Sequence, residues 1–324
     1  MKTIAVVCGG YSKEEIISLK SAAQIEQSID ASKYVVYKVL INKETWVVKS
    51  FGEDIHVDKN DFSFKLNGNK IIFDAVFMAI HGTPGEDGKL QSYFEMIGIP
   101  MTTCSAFVSA LTFNKFISKL YLMKFGIVSA KDVLLRRDME YNTDTIKEEL
   151  GLPIFVKPNN GGSSFGISKV NDSSGLTYAI EKAFGEDDEV IVEEYIEGRE
   201  FTCGGFISDE EEIVFPVTEI VSKTDFFDFE AKYGGLADEI TPAQISKELT
   251  NKCQKLTLDI YKALKCTGLV RIDFLLRKNI FYFMEVNTVP GMSKESIIPQ
   301  QVAAYGMSAV EFSSKLLKDA LSRG

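Results

Sequence analysis

The first hundred residues alternate between strand-like and helix-like segments, and this alternation restricts the fold more than any other feature of the chain. Apolar, strand-like runs lie at residues 3–10, 34–41 and 74–82. Residues 13–29, between the first two runs, have the apolar spacing of an amphipathic helix. Because helices commonly connect parallel strands, the pattern predicts an α/β fold that begins with a parallel, Rossmann-like α/β domain.

Strands and helices follow in a different order after this unit. Strand-like runs lie at residues 153–158, 166–170, 189–198, 199–208, 212–221, 268–277 and 279–287, and helix-like runs end near residues 184 and 265. This order is typical of α+β structure. We expect an N-terminal domain at residues 1–103, a central domain at residues 104–197 and a C-terminal domain at residues 198–324.

The composition argues against several classes of protein. The 324 residues carry a formal net charge of −10, whereas a nucleic-acid-binding protein is usually basic. No apolar run of the sequence approaches the roughly 20 residues of a membrane-spanning helix. The five cysteines are scattered and form no C-x-x-C pair, so neither a disulfide framework nor a zinc cluster is expected. We therefore predict a cytoplasmic protein that binds neither nucleic acid nor membranes.

The strand-like run at residues 279–287 ends in two polar side chains, Glu285 and Asn287, which share one face because they lie two residues apart. Arg271 and Asp273 have the same spacing in the preceding run. The short connection between the runs predicts an antiparallel hairpin that brings Asp273 close to Glu285. Two carboxylates and an amide oxygen suit Mg²⁺. The alternative is a polar strand face on which Arg271 pairs with Asp273.

The segment KPNNGGSSFG at residues 157–166 contains small residues between two strand-like runs. Small residues allow backbone N–H groups to approach phosphate oxygens, and serine hydroxyls add donors. A flexible hairpin turn would explain the segment equally well. Lys157 ends an apolar run, where a buried ammonium group requires an anionic partner. Lys115, on the preceding helix-like segment, would on its own be interpreted as solvent-exposed.

Three other features are weaker evidence of a functional site when each is taken alone. His81 follows a strand-like run, and a lone histidine is more often structural than catalytic. The acidic segment at residues 192–201 would usually be a solvated edge, although adenosine recognition would need only two of its carboxylates. The segment FFDFEAKYGG at residues 226–235 is either an ordered functional loop or a packed surface loop.

Five segments occur in the order and spacing of the D-alanine–D-alanine ligases. They are AIHGTPGEDGKLQ, KPNNGGSSFGISKV, DFEAKYGG, GLVRIDFLL and MEVNTVPGMSKES. Over residues 4–317 the chain therefore resembles this family, which has the ATP-grasp fold. The resemblance implies that the central and C-terminal domains are the two ATP-grasp subdomains, and that they grip ATP beneath the Gly/Ser-rich loop.

The resemblance also implies cofactors and site residues. The expected cofactors are ATP and two Mg²⁺ ions, which Mn²⁺ could replace. The residues expected to bind ATP are Lys115, Lys157, Ser164, Glu193, Ile196, Glu200 and Phe226, and the expected metal ligands are Asp273, Glu285 and Asn287. The residues expected to bind substrate are His81, Lys232, Ser296 and Ile297, and the expected catalytic residues are Arg271, Ser163, Tyr233, Gly291 and Glu14.

The implied reaction joins two D-alanine molecules into D-alanyl-D-alanine for the synthesis of peptidoglycan precursors. The carboxylate of a first D-alanine attacks the γ-phosphate of ATP and forms an acyl phosphate, and the amine of a second D-alanine then displaces phosphate. Arg271 and the Gly291 N–H are expected to stabilise the negative charge of the transition states. The Lys232–Tyr233 pair resembles family members that form dipeptides rather than those that use D-lactate. A homodimer is expected from the family alone.

The chain departs from the family pattern at one position. Where the family has E-x-E-V-S-L, this chain has EEIISL, so that Ile16 replaces a glutamate that faces the ammonium group of the first D-alanine. Glu14, Glu15 or a water molecule could take over that contact. The departure keeps open an ATP-grasp ligase that joins another carboxylate and amine, for example another D-amino acid. A nucleotide-binding protein with a degenerate site is a second alternative, although the predicted metal and phosphate ligands are intact.

Overall fold

The computed structural model describes residues 1–12, 14–50, 52–162, 166–208, 211–222 and 237–324. Within these residues the chain forms three main β-sheets, which we call the N-terminal, central and C-terminal sheets. Each sheet has at least one helix packed against it. In the described part of the chain, every helix is too short or too polar to cross a lipid bilayer.

The N-terminal sheet has the strand order β4-β3-β2-β1-β7. The elements of this unit are β1 (Lys2–Gly9), α1 (Glu15–Ser28), β2 (Tyr34–Ile41), β3 (Trp46–Ser50), β4 (Glu53–His56), the ribbon of β5 (Phe64–Leu66) and β6 (Asn69–Ile71), β7 (Ala75–Met78) and α2 (Lys89–Met96). As predicted, β1 is parallel to β2 and β7.

Two strands of this sheet differ from a purely parallel arrangement, because β3 and β4 are antiparallel additions at its edge. The reason is local. The Asn42 side chain accepts hydrogen bonds from the backbone N–H groups of Glu44 and Thr45 and closes a tight turn after β2. A connection this short can join only antiparallel strands.

The central sheet has the strand order β10-β9-β11-β8, and neighbouring strands are antiparallel. Its elements, with the helices that precede it, are α3 (Ala106–Phe113), α4 (Lys115–Met123), β8 (Asp132–Arg136), α5 (Thr143–Leu150), β9 (Ile154–Pro158), β10 (Ser168–Val170), α6 (Leu176–Phe184) and β11 (Glu189–Glu194). The apolar face of α6 shares a core with Val156 and Val192, so that this face of the sheet is covered.

The C-terminal sheet has the strand order β15-β14-β12-β16-β17, with β13 paired to β12. Its elements, and the helices that follow, are β12 (Arg199–Ser208), β13 (Glu211–Val214), β14 (Thr218–Ser222), β15 (Ala237–Ile240), α7 (Lys247–Leu264), β16 (Val270–Arg277), β17 (Ile280–Asn287), α8 (Ile297–Tyr305) and α9 (Ala309–Ser322). The predicted hairpin of β16 and β17 is confirmed, with a tight turn at Lys278 and Asn279, both at positive φ.

Helices connect the three sheets. Helices α3 and α4 pack against β17, where Val108 and Leu122 share a core with Phe283. Helix α9 packs against α1 and β7, and Phe312 and Leu316 lie in the same core as the N-terminal strands. These cores extend across the expected domain boundaries, so the division at residues 103/104 and 197/198 stays a prediction.

Candidate active site

A cavity of about 860 Å³ lies between the central and C-terminal sheets, with loops of the N-terminal unit at one end. Its size suits a small-molecule site. The predicted site residues that line it are Glu14, Lys115, Lys157, Glu193, Ile196, Glu200, Arg271, Asp273, Glu285 and Ile297. The fold therefore brings together residues that are far apart in the sequence, from the N-cap of α1 to the first turn of α8.

Arg271 and Asp273 form a buried ion pair in the wall of this cavity. Arg271 Nε and Nη2 donate to Asp273 Oδ1 and Oδ2 over 2.9 and 2.8 Å. Thr202 Oγ1 and Asn287 Nδ2 donate to the same carboxylate. The pairing that the sequence offered as an alternative to a metal site is thus present, and its bidentate geometry fixes the guanidinium at the cavity.

The β16–β17 register places Asp273 opposite Glu285, which confirms the predicted proximity of these two residues, and it also places Arg271 opposite Asn287. The Glu285 side chain retains 30% exposure, and Asn287 lines a smaller space next to the main cavity. Among the described residues, no group of three or more His, Cys, Asp or Glu side chains could hold a metal ion. A metal ion at this hairpin would therefore need the Asn287 oxygen or substrate oxygens to complete its coordination.

Lys115 reaches the cavity from the first turn of α4. Its side chain is buried, and its Nζ donates to the Gly161 carbonyl over 2.6 Å and lies 3.7 Å from Glu285 Oε2. Gly161 has a φ of 129°, a conformation that favours glycine. Burial lowers the pKa of the Lys115 ammonium group more than the Glu285 carboxylate raises it. Lys115 is therefore not the solvent-exposed lysine that its helix alone suggested, and a bound anion would stabilise its charge.

Glu193 lies in β11 and is 9% exposed, so it is not part of a solvated edge. Its Oε2 lies 2.8 Å from Lys157 Nζ, and its Oε1 accepts a hydrogen bond from Lys119 Nζ. Burial opposes ionisation of Glu193, but the two ammonium groups lower its pKa to about 2. The sequence analysis missed Lys119. Its position one helical turn after Lys115 was the signal that could have revealed it.

The sequence analysis also missed most of an apolar wall of the cavity. The residues that form it are Phe155, Tyr195, Ile196, Leu275 and Met284. The rings of Phe155 and Tyr195 stack with centroids 6.0 Å apart and planes 10° apart. A surface of this kind suits a flat aromatic ligand such as a nucleobase. Tyr195 belongs to the acidic segment of residues 192–201, so its position next to predicted site residues was the available signal.

The structure shows which side chain around position 16 lines the cavity. Ile16 is 66% exposed and does not line the cavity, and neither does the half-buried Glu15. Glu14 is 8% exposed and lines the cavity. A Cβ at Gly82 would lie 2.5 Å from Glu14 Oε2, and one at Gly162 would lie 3.4 Å from Oε1. The Glu14 carboxylate therefore lies between two loops whose glycines leave room for it.

His81 is buried behind the cavity wall rather than among its lining residues. Its Nδ1 lies 2.8 Å from the Val289 carbonyl, which can only accept a hydrogen bond. Its Nε2 lies 3.1 Å from Ser21 Oγ, which accepts from the Met292 N–H. These contacts connect the end of β7 to the loop after β17. His81 is thus hydrogen-bonded to that loop and to α1.

Gly291, Ser296 and Ile297 surround the N terminus of α8. A Cβ at Gly291 would lie 2.8 Å from Ser296 Oγ, so a larger residue would displace that hydroxyl. Ser296 is the N-cap residue of α8, and its Oγ lies 2.9 Å from Ser293 Oγ. Ile297 lines the cavity. The N–H groups at a helix N terminus favour an anion, which is compatible with the predicted binding of a substrate carboxylate here.

Family models described as the N terminus and the C terminus of D-ala D-ala ligase match residues 3–104 and 120–318. The D-alanine–D-alanine ligase of Parabacteroides distasonis is 48% identical over 322 residues, which cover 99% of this chain and 98% of that protein. The chain belongs to the D-alanine–D-alanine ligase family. The predictions of this family, of the ligase class and of the ATP-grasp fold are therefore confirmed.

Solved structures of the family extend the similarity to three dimensions. D-alanyl-alanine synthetase A from Vibrio cholerae is 31% identical, with a TM-score of 0.89, and the match covers 99% of this chain and 98% of that chain. A D-alanine–D-alanine ligase from Bacillus anthracis complexed with ATP is 29% identical, with a TM-score of 0.80 and the same coverage. The predicted use of ATP is supported for the family.

The roles of individual residues stay predictions within the D-alanine–D-alanine ligase family. Five predicted site residues lie outside the described part of the chain: Ser163, Ser164, Phe226, Lys232 and Tyr233. Of the others, most line the main cavity, while Asn287 lines the smaller space and His81, Gly291 and Ser296 lie behind or beside the wall.

Proposed function

We propose that the protein joins two D-alanine molecules into D-alanyl-D-alanine, at the expense of ATP and through an acyl phosphate, for peptidoglycan precursor synthesis. One observation carries this proposal. The cavity lining combines two buried lysines, Lys115 and Lys157, with the hairpin that bears Arg271, Asp273 and Glu285. Cations that can hold phosphates and hard oxygen ligands that can hold a metal ion are the two requirements of phosphoryl transfer.

The nucleotide is proposed to lie with its base against the apolar wall and its phosphates at the lysines. Lys115 and Lys157 would contact the phosphates, with help from Ser164. Glu193, Ile196 and Glu200 would bind the adenine and ribose, with Phe226 near the base. The support for this orientation is the position of the lining residues. Phe155 stacks on Tyr195 and lies opposite Glu193 in the β9–β11 register, whereas Lys115 contacts the Gly161 carbonyl and approaches Glu285.

Two Mg²⁺ ions, which Mn²⁺ could replace, are proposed to bind Asp273, Glu285 and Asn287. The donor set fits the ion, since a carboxylate pair and an amide oxygen on adjacent strands are hard ligands and phosphate oxygens would complete the coordination. Mg²⁺ would neutralise the charge of the transferred phosphoryl group. Asp273 also accepts two hydrogen bonds from Arg271. A metal ion bound to this carboxylate would therefore share its oxygens with the guanidinium.

The protein's own residues are proposed to stabilise charge in both chemical steps. In the first step, a carboxylate oxygen of the first D-alanine forms a bond to the γ-phosphorus while the bond to ADP breaks. In the second step, the amine of the second D-alanine attacks the acyl carbonyl and phosphate leaves. Arg271, fixed by Asp273, and the N–H of Gly291 would stabilise the developing negative charge.

The remaining predicted residues are proposed to bind the second D-alanine. Ser296 and Lys232 would bind its carboxylate, with Ile297 against its methyl group. Ser163 and Tyr233 would close the pocket, and His81 would contribute by positioning the loop of residues 289–292. The helix N terminus at Ser296 supports the binding of a carboxylate.

The proposed reaction can be tested by measuring phosphate release from ATP and Mg²⁺ with D-alanine, L-alanine, D-serine or D-lactate, and by identifying the products by mass. We expect D-alanyl-D-alanine with D-alanine alone and no product with L-alanine. If ATP is turned over only in the presence of another amine or carboxylate, that compound is the substrate instead of D-alanine. Absence of turnover with every acceptor would support a degenerate nucleotide-binding protein.

Glu14 is proposed to bind the ammonium group of the first D-alanine in place of the missing glutamate at position 16. Of Glu14 and Glu15, it is the one that lines the cavity. The variant Glu14→Gln keeps the shape of the side chain but removes its charge. Because a charge-assisted hydrogen bond contributes about 1.5–3 kcal/mol, we expect the KM for the first D-alanine to rise roughly 10- to 100-fold. Rates over a wide range of D-alanine concentrations, fitted to two successive sites, provide the measurement.

Glu15→Gln is the matched control for this prediction, because it removes the same charge one residue away on a side chain that does not line the cavity. We expect it to change the first-site KM by less than about threefold. Equal effects of the two substitutions, or a rise only in the KM for ATP, would contradict the proposed role of Glu14.

We also propose a cytoplasmic homodimer. The five cysteines are free and buried thiols, which suits a reducing compartment that supplies ATP. Large apolar side chains are exposed on and beside α2, α3 and α4, including Met96, Phe107, Met123 and Phe125. Such side chains would be buried by a partner subunit. Sedimentation should give twice the monomer mass, and Phe107→Asp should shift the distribution towards monomers. A wild-type monomer would contradict the proposed assembly.

A further inference from the structure

Two carboxylates face each other on adjacent strands of the central sheet. Glu193 of β11 lies directly opposite Asp132 of β8 in the antiparallel register. Like charges in directly opposed positions destabilise a sheet unless a cation lies between them. Lys119 provides that cation, because its Nζ lies 2.5 Å from Asp132 Oδ2 and 2.6 Å from Glu193 Oε1.

Lys119 lies behind the cavity wall, whereas Lys157 lies in it. The Lys119 side chain is 3% exposed and does not line the cavity, but Lys157 and Glu193 both do. Lys157 contacts the other oxygen of Glu193, Oε2, over 2.8 Å. The Glu193 carboxylate is therefore held between one ammonium group on the cavity side and one on the protein side.

Burial and ion pairing act in opposite directions on Lys119 and Glu193. Burial opposes ionisation of Lys119, but Glu193 and Asp132 outweigh it and raise its pKa. Burial likewise opposes ionisation of Glu193, and Lys157 and Lys119 together hold its pKa at about 2. The cluster formed by Lys119, Asp132, Lys157 and Glu193 pairs two basic with two acidic side chains, so their formal charges sum to zero.

A bound nucleotide would change this balance. In the proposed function Lys157 contacts phosphate, which would turn its ammonium group away from Glu193. Glu193 and Asp132 would then depend on Lys119 alone to remain ionised side by side. Without Lys119, one of the two carboxyl groups would take up a proton, because opposed carboxylates, of which Glu193 is buried, cannot both stay charged at low cost.

We propose that Lys119, together with Asp132, is a positioning residue that keeps Glu193 an ionised acceptor for the exocyclic amino group of a nucleobase. An ionised carboxylate only accepts hydrogen bonds, whereas a protonated one also donates. The Lys119–Asp132 pair would therefore set the preference for ATP over a nucleotide that lacks the amino group. This inference rests on the proposed binding of the base beside Glu193.

The test compares ATP with purine riboside 5′-triphosphate, in which hydrogen replaces the amino group. The readout is the ratio of kcat/KM for the two nucleotides at saturating D-alanine, with KM for D-alanine measured separately. We expect the wild-type enzyme to prefer ATP at least about tenfold, as one hydrogen bond to a charged group would give. We expect Lys119→Met to reduce this ratio to below about threefold and to leave the KM values for D-alanine within about twofold.

Two further variants keep the test decisive. Lys119→Met combined with Asp132→Asn removes one cation and one anion, so it keeps the charge balance if the single variant does not fold. It should also lose preference for ATP, but less than the single variant, because Glu193 no longer faces a carboxylate yet stays buried without a cation once Lys157 turns to the phosphate. Lys124→Met is the matched control, because Lys124 follows α4 and is exposed. This control should retain the wild-type ratio.

The outcomes separate this inference from the proposed function. If Glu193→Gln abolishes the preference for ATP but both variants of Lys119 retain it, Lys119 has only a structural role and the inference is overturned. The inference is also overturned if the Lys119 variants have a lower melting temperature but the wild-type ratio of kcat/KM for the two nucleotides. If the wild-type ratio is near one while D-alanyl-D-alanine still forms, the contact between Glu193 and the base is wrong and the ligase function stands.

Discussion

Replacing Arg271 by methionine is expected to lower kcat for D-alanyl-D-alanine formation about 10²- to 10³-fold, as the loss of one fixed donor to a developing oxyanion does in other enzymes. The guanidinium lines the cavity, is 7% exposed and is held by two hydrogen bonds to Asp273 of 2.9 and 2.8 Å. A donor fixed in a poorly hydrated site stabilises new negative charge without a cost of reorganisation. Steady-state rates at saturating ATP and D-alanine provide the measurement.

Two companion variants show whether the effect comes from the guanidinium. Arg271→Lys keeps the charge but cannot form both hydrogen bonds to Asp273, so an intermediate loss of kcat is expected. Arg277→Met, at the exposed end of the same strand, should retain wild-type rates. Because the loss of a partner from a buried ion pair costs about 3–5 kcal/mol, thermal unfolding and ADP binding must show that Arg271→Met is folded. A folded variant with kcat within about threefold of wild type would disprove the role.

Removal of divalent metal is expected to abolish turnover, and Mg²⁺ or Mn²⁺ should restore it. The reason is electrostatic, because the transferred phosphoryl group and the leaving ADP are both anionic. The β16–β17 hairpin presents Asp273 opposite Glu285. Phosphate release in EDTA, followed by titration with each metal chloride, gives the concentration of metal needed for half-maximal activity. Full activity in EDTA would contradict the proposed metal dependence.

The variant Glu285→Gln tests which residues bind the metal. We expect the Mg²⁺ concentration for half-maximal activity to rise at least about tenfold, because a neutral amide is a weaker ligand than a carboxylate. Glu53→Gln, an exposed position in β4 of the N-terminal sheet, is the matched control and should leave this concentration unchanged. An unchanged Mg²⁺ requirement in Glu285→Gln would remove Glu285 from the ligand set.

Much of the hairpin was predictable because its signals are local. Alternation along a strand put Arg271 with Asp273, and Glu285 with Asn287, on shared faces, and a short connection implied antiparallel pairing. The proximity of Asp273 to Glu285 followed, and the structure supplied the register. The parallel arrangement of β1 and β2 was predictable for the same reason, since the intervening helical segment is long enough to cross over.

Other features were not predictable because they depend on contacts between distant segments. The only local signal for Lys119 is its position one helical turn after Lys115, and its burial follows from α4 packing over Asp132 and Glu193. The position of Glu14 follows from the loops that contain Gly82 and Gly162. The antiparallel edge formed by β3 depends on the Asx turn at Asn42, a signal that is short and common.

By itself, the sequence determined the order of strands and helices and the chemical types available at the site, because alternation, turn length and the spacing of motifs are properties of neighbouring residues. The family and the ATP-grasp fold followed from the resemblance of five ordered segments to the D-alanine–D-alanine ligases. The tertiary structure alone decided which of Glu14 and Glu15 faces the cavity, that Arg271 and Asp273 are paired, and that Lys119 supports Glu193. These decisions depend on burial and on charge balance, and both arise only when segments far apart in the chain pack together.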